Sequence, residues 1–234
     1  MKADLVGSQR AHPLLEEDLS HYWSSPFGQL RRQRRMEIFA GKLSACRRIL
    51  EIGCGAGEFS AAFPSSSSML VSCDLIPHMA RAAVRTGRGQ EGRVLVLDAH
   101  RLSFPDASFD GAFGNAVLHH LDPLPALREI RRVLKPGSPL VFSEPNMSNP
   151  MVWLIKNVGF IGTMARETPG ETAFRRNQLE SLAQEAGFRN VEVRHYDFCI
   201  GPAPLLPLIR LMEPALEAGF MRSWSLSLLL TAKA

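Results

Sequence analysis

The stretch Ile49–Ser60, ILEIGCGAGEFS, restricts what this chain can fold into more than any other. Ile49, Leu50 and Ile52 make an apolar run short enough for a buried strand. Gly53, Gly55 and Gly57 follow at alternate positions, and Glu58, Phe59, Ser60, Ala61 and Ala62 read as the first turns of a helix. Glycines let a backbone turn sharply and come close to a ligand, and a helix start points unpaired N–H groups at it. Strand, glycine turn and helix in that order suit a nucleotide-like ligand. The spacing is GxGxG, whereas seating a dinucleotide pyrophosphate on the helix calls for GxGxxG, so a dehydrogenase is disfavoured.

Many α/β strands end in a glycine turn, and Asp74 is what separates this one from them. It lies 21 residues beyond Gly53, at the end of a second apolar strand, Met69-Leu70-Val71-Ser72-Cys73, where a carboxylate can take ribose hydroxyls. Asp98-Ala99 closes a third strand, Val94–Leu97. Three successive strands thus carry a glycine turn, an acid and a second acid at their C-terminal ends, the edge where open α/β sheets bind ligands. Each acid taken alone could be a helix N-cap or a loop anchor, but that does not account for all three positions together.

LEIGCGAGEFS, VSCDLIPHM, LVLDAHRLSFPDASFDGAFGNAVLHHL and LREIRRVLKPGSPLVFSEPN run in order from about Arg47 to Asn146. They resemble the core motifs of the class I S-adenosylmethionine-dependent methyltransferases. The resemblance implies a Rossmann-like, doubly wound α/β fold: a mostly parallel seven-stranded sheet with an antiparallel last strand, plus helical lid insertions. It implies S-adenosyl-L-methionine as cofactor. Gly53, Cys54, Gly55 and Gly57 would form the turn against the cofactor's amino-acid end, with Glu51 beneath. Asp74 would take the ribose hydroxyls, Leu75 flank the adenine, Asp98 face the adenine amino group and the Ala99 N–H a ring nitrogen. Asn115 stands where family members offer a backbone carbonyl to the cofactor's amine. Tyr22, in the cluster His21-Tyr22-Trp23, would close over the cofactor as N-terminal helices do in the family, or the cluster packs the arm onto the domain.

Residues 1–46 are expected to form an N-terminal arm and helix, and 47–234 the methyltransferase domain, with lid insertions near 146–174 and 199–222. Hydrophobic residues make up 45% and charged ones 21%, an ordinary globular composition, and 234 residues fit one α/β core. Gln29–Lys42 reads as a helix in which Arg31, Arg32, Arg34 and Arg35 surround Gln33, a run that ordinarily makes a solvated face. Pro77–Arg85, Pro123–Leu134 and Arg175–Ala186 also read as helices. Phe109–Phe113, Leu140–Glu144, Phe188–Phe198 and Ser223–Ala234 are the later strands. The two insertions are apolar and cut by prolines and glycines, which suggests a roofed, greasy chamber for the acceptor. Cys46, Cys54, Cys73 and Cys199 show no CxxC spacing, so buried free thiols in a reducing compartment and no metal site are expected. Without a signal-like segment or a run of 18 apolar residues, the expected location is cytoplasmic, with at most peripheral membrane contact.

The catalytic candidates are His120, His119 and Glu144, in that order. Both histidines follow the fourth strand in GNAVLHHL, and a histidine near neutrality can take a proton from a hydroxyl or merely orient and pack. His120 comes first because it matches the histidine most often retained in the family's pattern. Glu144, in SEPN, can be a base, an acceptor or a turn anchor. The expected reaction is methyl transfer to a small-molecule acceptor, at oxygen by family frequency, of the bacterial polysaccharide or secondary-metabolite type. The alternatives are a tRNA or other nucleic-acid methyltransferase acting through Arg31–Arg35, and a non-catalytic S-adenosylmethionine-binding module. A net charge of +4 does not call for nucleic acid, which is disfavoured as a partner, and the intact glycines and acids argue against the binding module.

Overall fold

The apolar run at Ile49 becomes a central strand. The computed structural model describes residues 23, 25–64, 69–85, 93–158, 172–198, 208, 211–212, 215–216 and 219–234. Among them β1 (Arg48–Ile52), β2 (Met69–Asp74), β3 (Val94–Val96), β4 (Gly111–Asn115), β5 (Pro139–Pro145), β6 (Arg189–Tyr196) and β7 (Ser227–Lys233) form one sheet of order β3-β2-β1-β4-β5-β7-β6. β1 to β5 pair in parallel, and β7 runs antiparallel to both β5 and β6. The fold is therefore the Rossmann-like α/β sheet expected from the sequence. Strand order reverses between β1 and β4, so the crevice for a ligand opens at their C-terminal ends.

The helices with described bounds that accompany the sheet are α1 (Pro26–Lys42), α2 (Glu58–Ala62), α3 (Pro77–Arg85), α4 (Pro123–Val133), α5 (Pro150–Asn157) and α6 (Arg176–Glu185). Successive side chains of a strand point to opposite faces, and the core divides accordingly. Leu50, Ala112, Leu140, Phe142, Leu228 and Leu230 pack with Leu127 and Ile130 of α4 and Leu179 of α6. Ile49, Phe113, Val141 and Leu229 pack on the other face with Met36 and Phe39 of α1. Three boundaries differ most from the expectation. The last strand, expected from Ser223, begins at Ser227, because Phe220–Trp224 forms a 3-10 turn. The fourth strand lies two residues later than predicted, because Phe109 makes only an isolated bridge to Leu134. α1 begins at Pro26 rather than Gln29, since Ser25 Oγ accepts the Gly28 N–H at 3.0 Å and proline suits a first helical position.

The basic run of α1 is not the solvated face its composition suggested. Arg31 Nε donates to Asp197 Oδ2 at 2.8 Å, and Arg35 Nη2 donates to the same oxygen at 2.9 Å and to Ser227 Oγ at 2.8 Å. Arg35 is 5% exposed and Asp197 1%. Arg35 also lies over the Trp23 ring at 5.3 Å, and Trp23 meets Phe59 edge-on at 5.2 Å. One carboxylate at the end of β6 thereby pins the first helix to the sheet. Asp197→Ala leaves two guanidinium groups without it. The expected loss is about 3 kcal/mol of folding stability in urea denaturation, at the low end because Arg31 can reach water.

The arm 1–22, with Tyr22, lies outside the described residues, as do Cys199 and much of both insertions. The described parts of the insertions are 146–158, 172–174, 208, 211–212, 215–216 and 219–222.

Candidate functional site

Gly53 starts the turn with φ +68°, which favours glycine, and its N–H and that of Cys54 donate to Cys73 O at 2.8 and 3.0 Å. A Cβ at Gly53 would lie 2.3 Å from Val117 Cγ2, so the segment after β4 closes into space that only glycine leaves. Gly55 donates its N–H to Asp74 Oδ2 at 2.9 Å, and Asp74 Oδ1 accepts the Ile76 N–H at 2.9 Å. Asp74 thus holds the glycine turn and the approach to α3 from one position, with lone-pair capacity remaining on each oxygen. Burial raises its pKa, while those two N–H bonds and the nearby His120 and His78 act the other way. Leu75 follows, half-buried.

Glu51 is 2% exposed, and its Oε2 accepts from Ser60 Oγ and, at 2.6 Å, from Ser72 Oγ. It joins β1 to α2 and β2. Burial pushes its carboxyl from 4.5 up to about 7, helped by the charges of Glu58 and Asp74 and opposed by the two serines. A carboxyl whose pKa is raised on folding stabilises fully below its unfolded value and loses that contribution as pH rises through the folded one. The urea midpoint should therefore fall between pH 4.5 and about 7, and Glu51→Gln should flatten that dependence. An unchanged slope in the variant would assign it to other groups.

Asp98, two residues past β3, is half-exposed and caps its own turn. Its Oδ1 accepts from the His100 N–H at 2.9 Å and from His100 Nδ1 at 2.7 Å. Burial acts to raise its pKa, but the His100 bonds outweigh it and leave the carboxyl below the usual range. His100 Nε2 accepts the Asp122 N–H at 3.1 Å, so this histidine links the loops after β3 and before α4. Sequence reasoning passed over His100, although an Asp-x-His spacing was a signal for such a turn. Ala99 is buried between them. Asn115 ends β4 beside Gly53, one residue beyond the Ile52–Gly114 pair. Its Oδ1 is buried with no hydrogen-bond partner. An orphaned buried acceptor at the mouth of the crevice fits a donor such as the amine of S-adenosylmethionine. The burial of Cys54 pushes its thiol pKa up, and Cys46 and Cys73 are likewise buried free thiols. No group able to hold a metal occurs among the described residues.

Leu118–His120 form a short 3-10 turn whose shape is set from β5. Glu144, 1% exposed, accepts the Val117 and Leu118 N–H groups with Oε1 at 3.0 and 2.9 Å. Its Oε2 lies 2.8 Å from His119 Nδ1. Burial lowers the His119 pKa and the charges of His120 and Lys156 add to that, against the opposing pull of Glu144. His120 is exposed, with its ring 4.0 Å from that of His119. Gly53, Gly55, Asp74, Asn115 and the two histidines are therefore brought to one crevice, while Glu51 is turned inside beneath it.

The family model described as "Methyltransferase domain" matches residues 50–142. A ubiquinone/menaquinone biosynthesis C-methyltransferase of Syntrophotalea carbinolica is 32% identical over 202 residues, 75% of this chain and 81% of that protein. A 27-O-demethylrifamycin SV methyltransferase of Amycolatopsis mediterranei is 33% identical over 139 residues, 55% of this chain and 51% of that protein. The chain spans about half the length of several such curated relatives. In fold it is similar to a SAM-dependent methyltransferase from Archaeoglobus fulgidus, with TM-score 0.67 at 21% identity over 94% of this chain and 98% of that one.

Proposed function

The chain belongs to the class I S-adenosylmethionine-dependent methyltransferases, and from that premise we propose that it transfers a methyl group to the oxygen of a small-molecule hydroxyl. The observation that carries the acceptor atom is the buried His119–Glu144 pair. Glu144 accepts the Nδ1–H of His119, which leaves Nε2 as the proton-accepting nitrogen. The lowered pKa keeps that imidazole neutral at neutral pH. His119 is therefore the base in preference to His120, and Glu144 positions it rather than acting as a base itself. When bound, S-adenosylmethionine supplies a methyl group on a sulfonium, so the chain's residues need only hold, orient and deprotonate.

Gly53, Cys54 and Gly55 would line the amino-acid end, and Asn115 Oδ1 would accept from the amine. Asp74 would add ribose hydroxyls to the two N–H groups it already holds. Leu75, Asp98 and Ala99 would border the adenine. Holding acceptor and methyl at reacting distance supplies on the order of 7–11 kcal/mol. Proton removal adds typically 10²–10⁴-fold, so positioning by the insertions near 146–174 and 199–222 is the larger effect. Hydroxylated secondary-metabolite or polysaccharide intermediates are the acceptor class this favours, and the 27-O-demethylrifamycin relative supports by name only the oxygen acceptor. With Arg31 and Arg35 held on Asp197, the nucleic-acid alternative loses two of the four cations in its run.

The test is to incubate the protein with methyl-labelled cofactor and a panel of phenols and alcohols, and to identify products by mass spectrometry and NMR. O-Methyl ethers are expected, with an acid limb in the pH–rate profile below the ordinary histidine value of about 6.5 that vanishes in His119→Gln. Exclusive C- or N-methyl products would overturn the oxygen assignment. An acid limb that survives in His119→Gln would remove His119 as the base.

A further inference from the structure

α5 departs from the pattern of the other long helices, which each bury an apolar face. Its sequence, PMVWLIKN, is mostly apolar, yet none of its residues is buried, with Met151 59% and Trp153 47% exposed. Among the described residues, the exposed large apolar side chains other than Val96 all lie within 151–158 or 208–224. Trp224, 44% exposed, is held beside the start of α5. Asn149 caps that helix through Oδ1, accepting the Met151 N–H at 2.8 Å, and donates from Nδ2 to Trp224 O at 2.6 Å. Asn146 Nδ2 donates to Ser225 O at 2.9 Å, and the Met147 N–H donates to Phe174 O at 2.9 Å. Three stretches of chain, 145–158, 172–177 and 219–226, are thereby stitched into one surface. Their charged residues are Lys156, Arg175, Arg176 and Arg222, with no Asp or Glu among them. Arg175, Arg176 and Arg222 are exposed and Lys156 is partly so.

We propose that this face, carrying Met151, Trp153 and Trp224 among Lys156, Arg175, Arg176 and Arg222, docks the protein on an anionic lipid surface. Tryptophan rings settle at the headgroup level, where an apolar body and a polar N–H are both satisfied. Cations beside them gain from anionic phosphates, and apolar area plus charge is what holds a peripheral protein on a bilayer. A second copy of the chain is disfavoured as the occupant, since its contact would bring four cations against four. The face adjoins the crevice, because Lys156 of α5 lies close enough to His119 to disfavour its protonation.

The test is co-sedimentation of the whole protein with vesicles of phosphatidylcholine alone and of phosphatidylcholine with about one-third phosphatidylglycerol, read alongside tryptophan emission. Of the three tryptophans Trp23 is buried, so a blue shift would report Trp153 and Trp224. The expected result is binding and a blue shift with the anionic vesicles only. Neutralising Arg176→Gln and Arg222→Gln should weaken binding about five-fold each, in proportion to charge removed. The double variant Trp153→Ser with Trp224→Ser should lose both binding and shift while keeping affinity for S-adenosylhomocysteine, which shows that it is folded. No sedimentation, or binding indifferent to these variants, would overturn the proposal. So would light scattering that shows a dimer lost in the tryptophan variant, which would give the face to a second copy. None of these readouts requires turnover, so their failure is separable from failure of the methyl-transfer assignment.

Discussion

Glu144→Gln should lower kcat by roughly 10²–10⁴-fold and leave cofactor affinity close to unchanged. The glutamine keeps a carbonyl oxygen for the Val117 and Leu118 N–H groups, so the turn after β4 retains its anchor. It places an NH₂ group where Oε2 now meets His119 Nδ1. Two donors cannot face each other, so Nδ1 must become the acceptor and the ring proton moves to Nε2. The nitrogen that should take the substrate proton then already carries one. ¹⁵N NMR of the ring would report the reversed tautomer independently of turnover. A reversed tautomer with wild-type kcat would show that proton removal by His119 is not part of the reaction. Loss of cofactor binding would mean that Glu144 serves only to hold the turn.

Gly53→Ala is expected to lose cofactor binding and to destabilise the fold by roughly 2–5 kcal/mol, from two separable sources. An L-residue at φ +68° is strained by about 1–2 kcal/mol. The new Cβ would sit 2.3 Å from Val117 Cγ2 and 2.8 Å from Val117 Cβ, an overpacking that costs typically ~1–3 kcal/mol more. Gly137 provides the control: its φ is +81°, but a Cβ there meets nothing within 4 Å. Gly137→Ala should therefore show the strain alone and bind cofactor normally. Adding Val117→Ala to Gly53→Ala removes the Cγ2 contact but keeps the Cβ at 2.8 Å, so it should recover part of the overpacking and none of the strain. Calorimetry with S-adenosylhomocysteine and urea denaturation measure both effects. Wild-type affinity in Gly53→Ala would place the cofactor away from this turn.

The strands at Ile49 and Leu140 were legible because parallel strands buried on both faces read as short apolar runs ended by turns. The turn itself was legible because positive φ and close approach both demand glycine, and Gly53 meets both demands. α4 was legible from its spacing, with Leu127, Ile130 and Val133 buried as the period requires. β4 was harder to bound. Phe109 matches a strand residue in composition but makes only a single bridge, to Leu134.

The amino-acid order by itself determined the layers, the glycine turn and the positions of the acids, because each follows from local propensity and periodicity. What the polar side chains do was decided only by the tertiary structure. Arg31 looked like part of a solvated run until a carboxylate 166 residues away closed on it. His119 and His120 were nearly equivalent as neighbours in sequence, and they part company because Glu144, 25 residues on in the next strand, holds the buried ring of His119, whereas His120 is exposed. Asn115 stood out as a side-chain acceptor only once its Oδ1 was seen buried without a donor. Hydrogen bonds between residues far apart in the chain leave no periodic trace in it. Their partners are set by strand order and register, and those exist only after the sheet has formed.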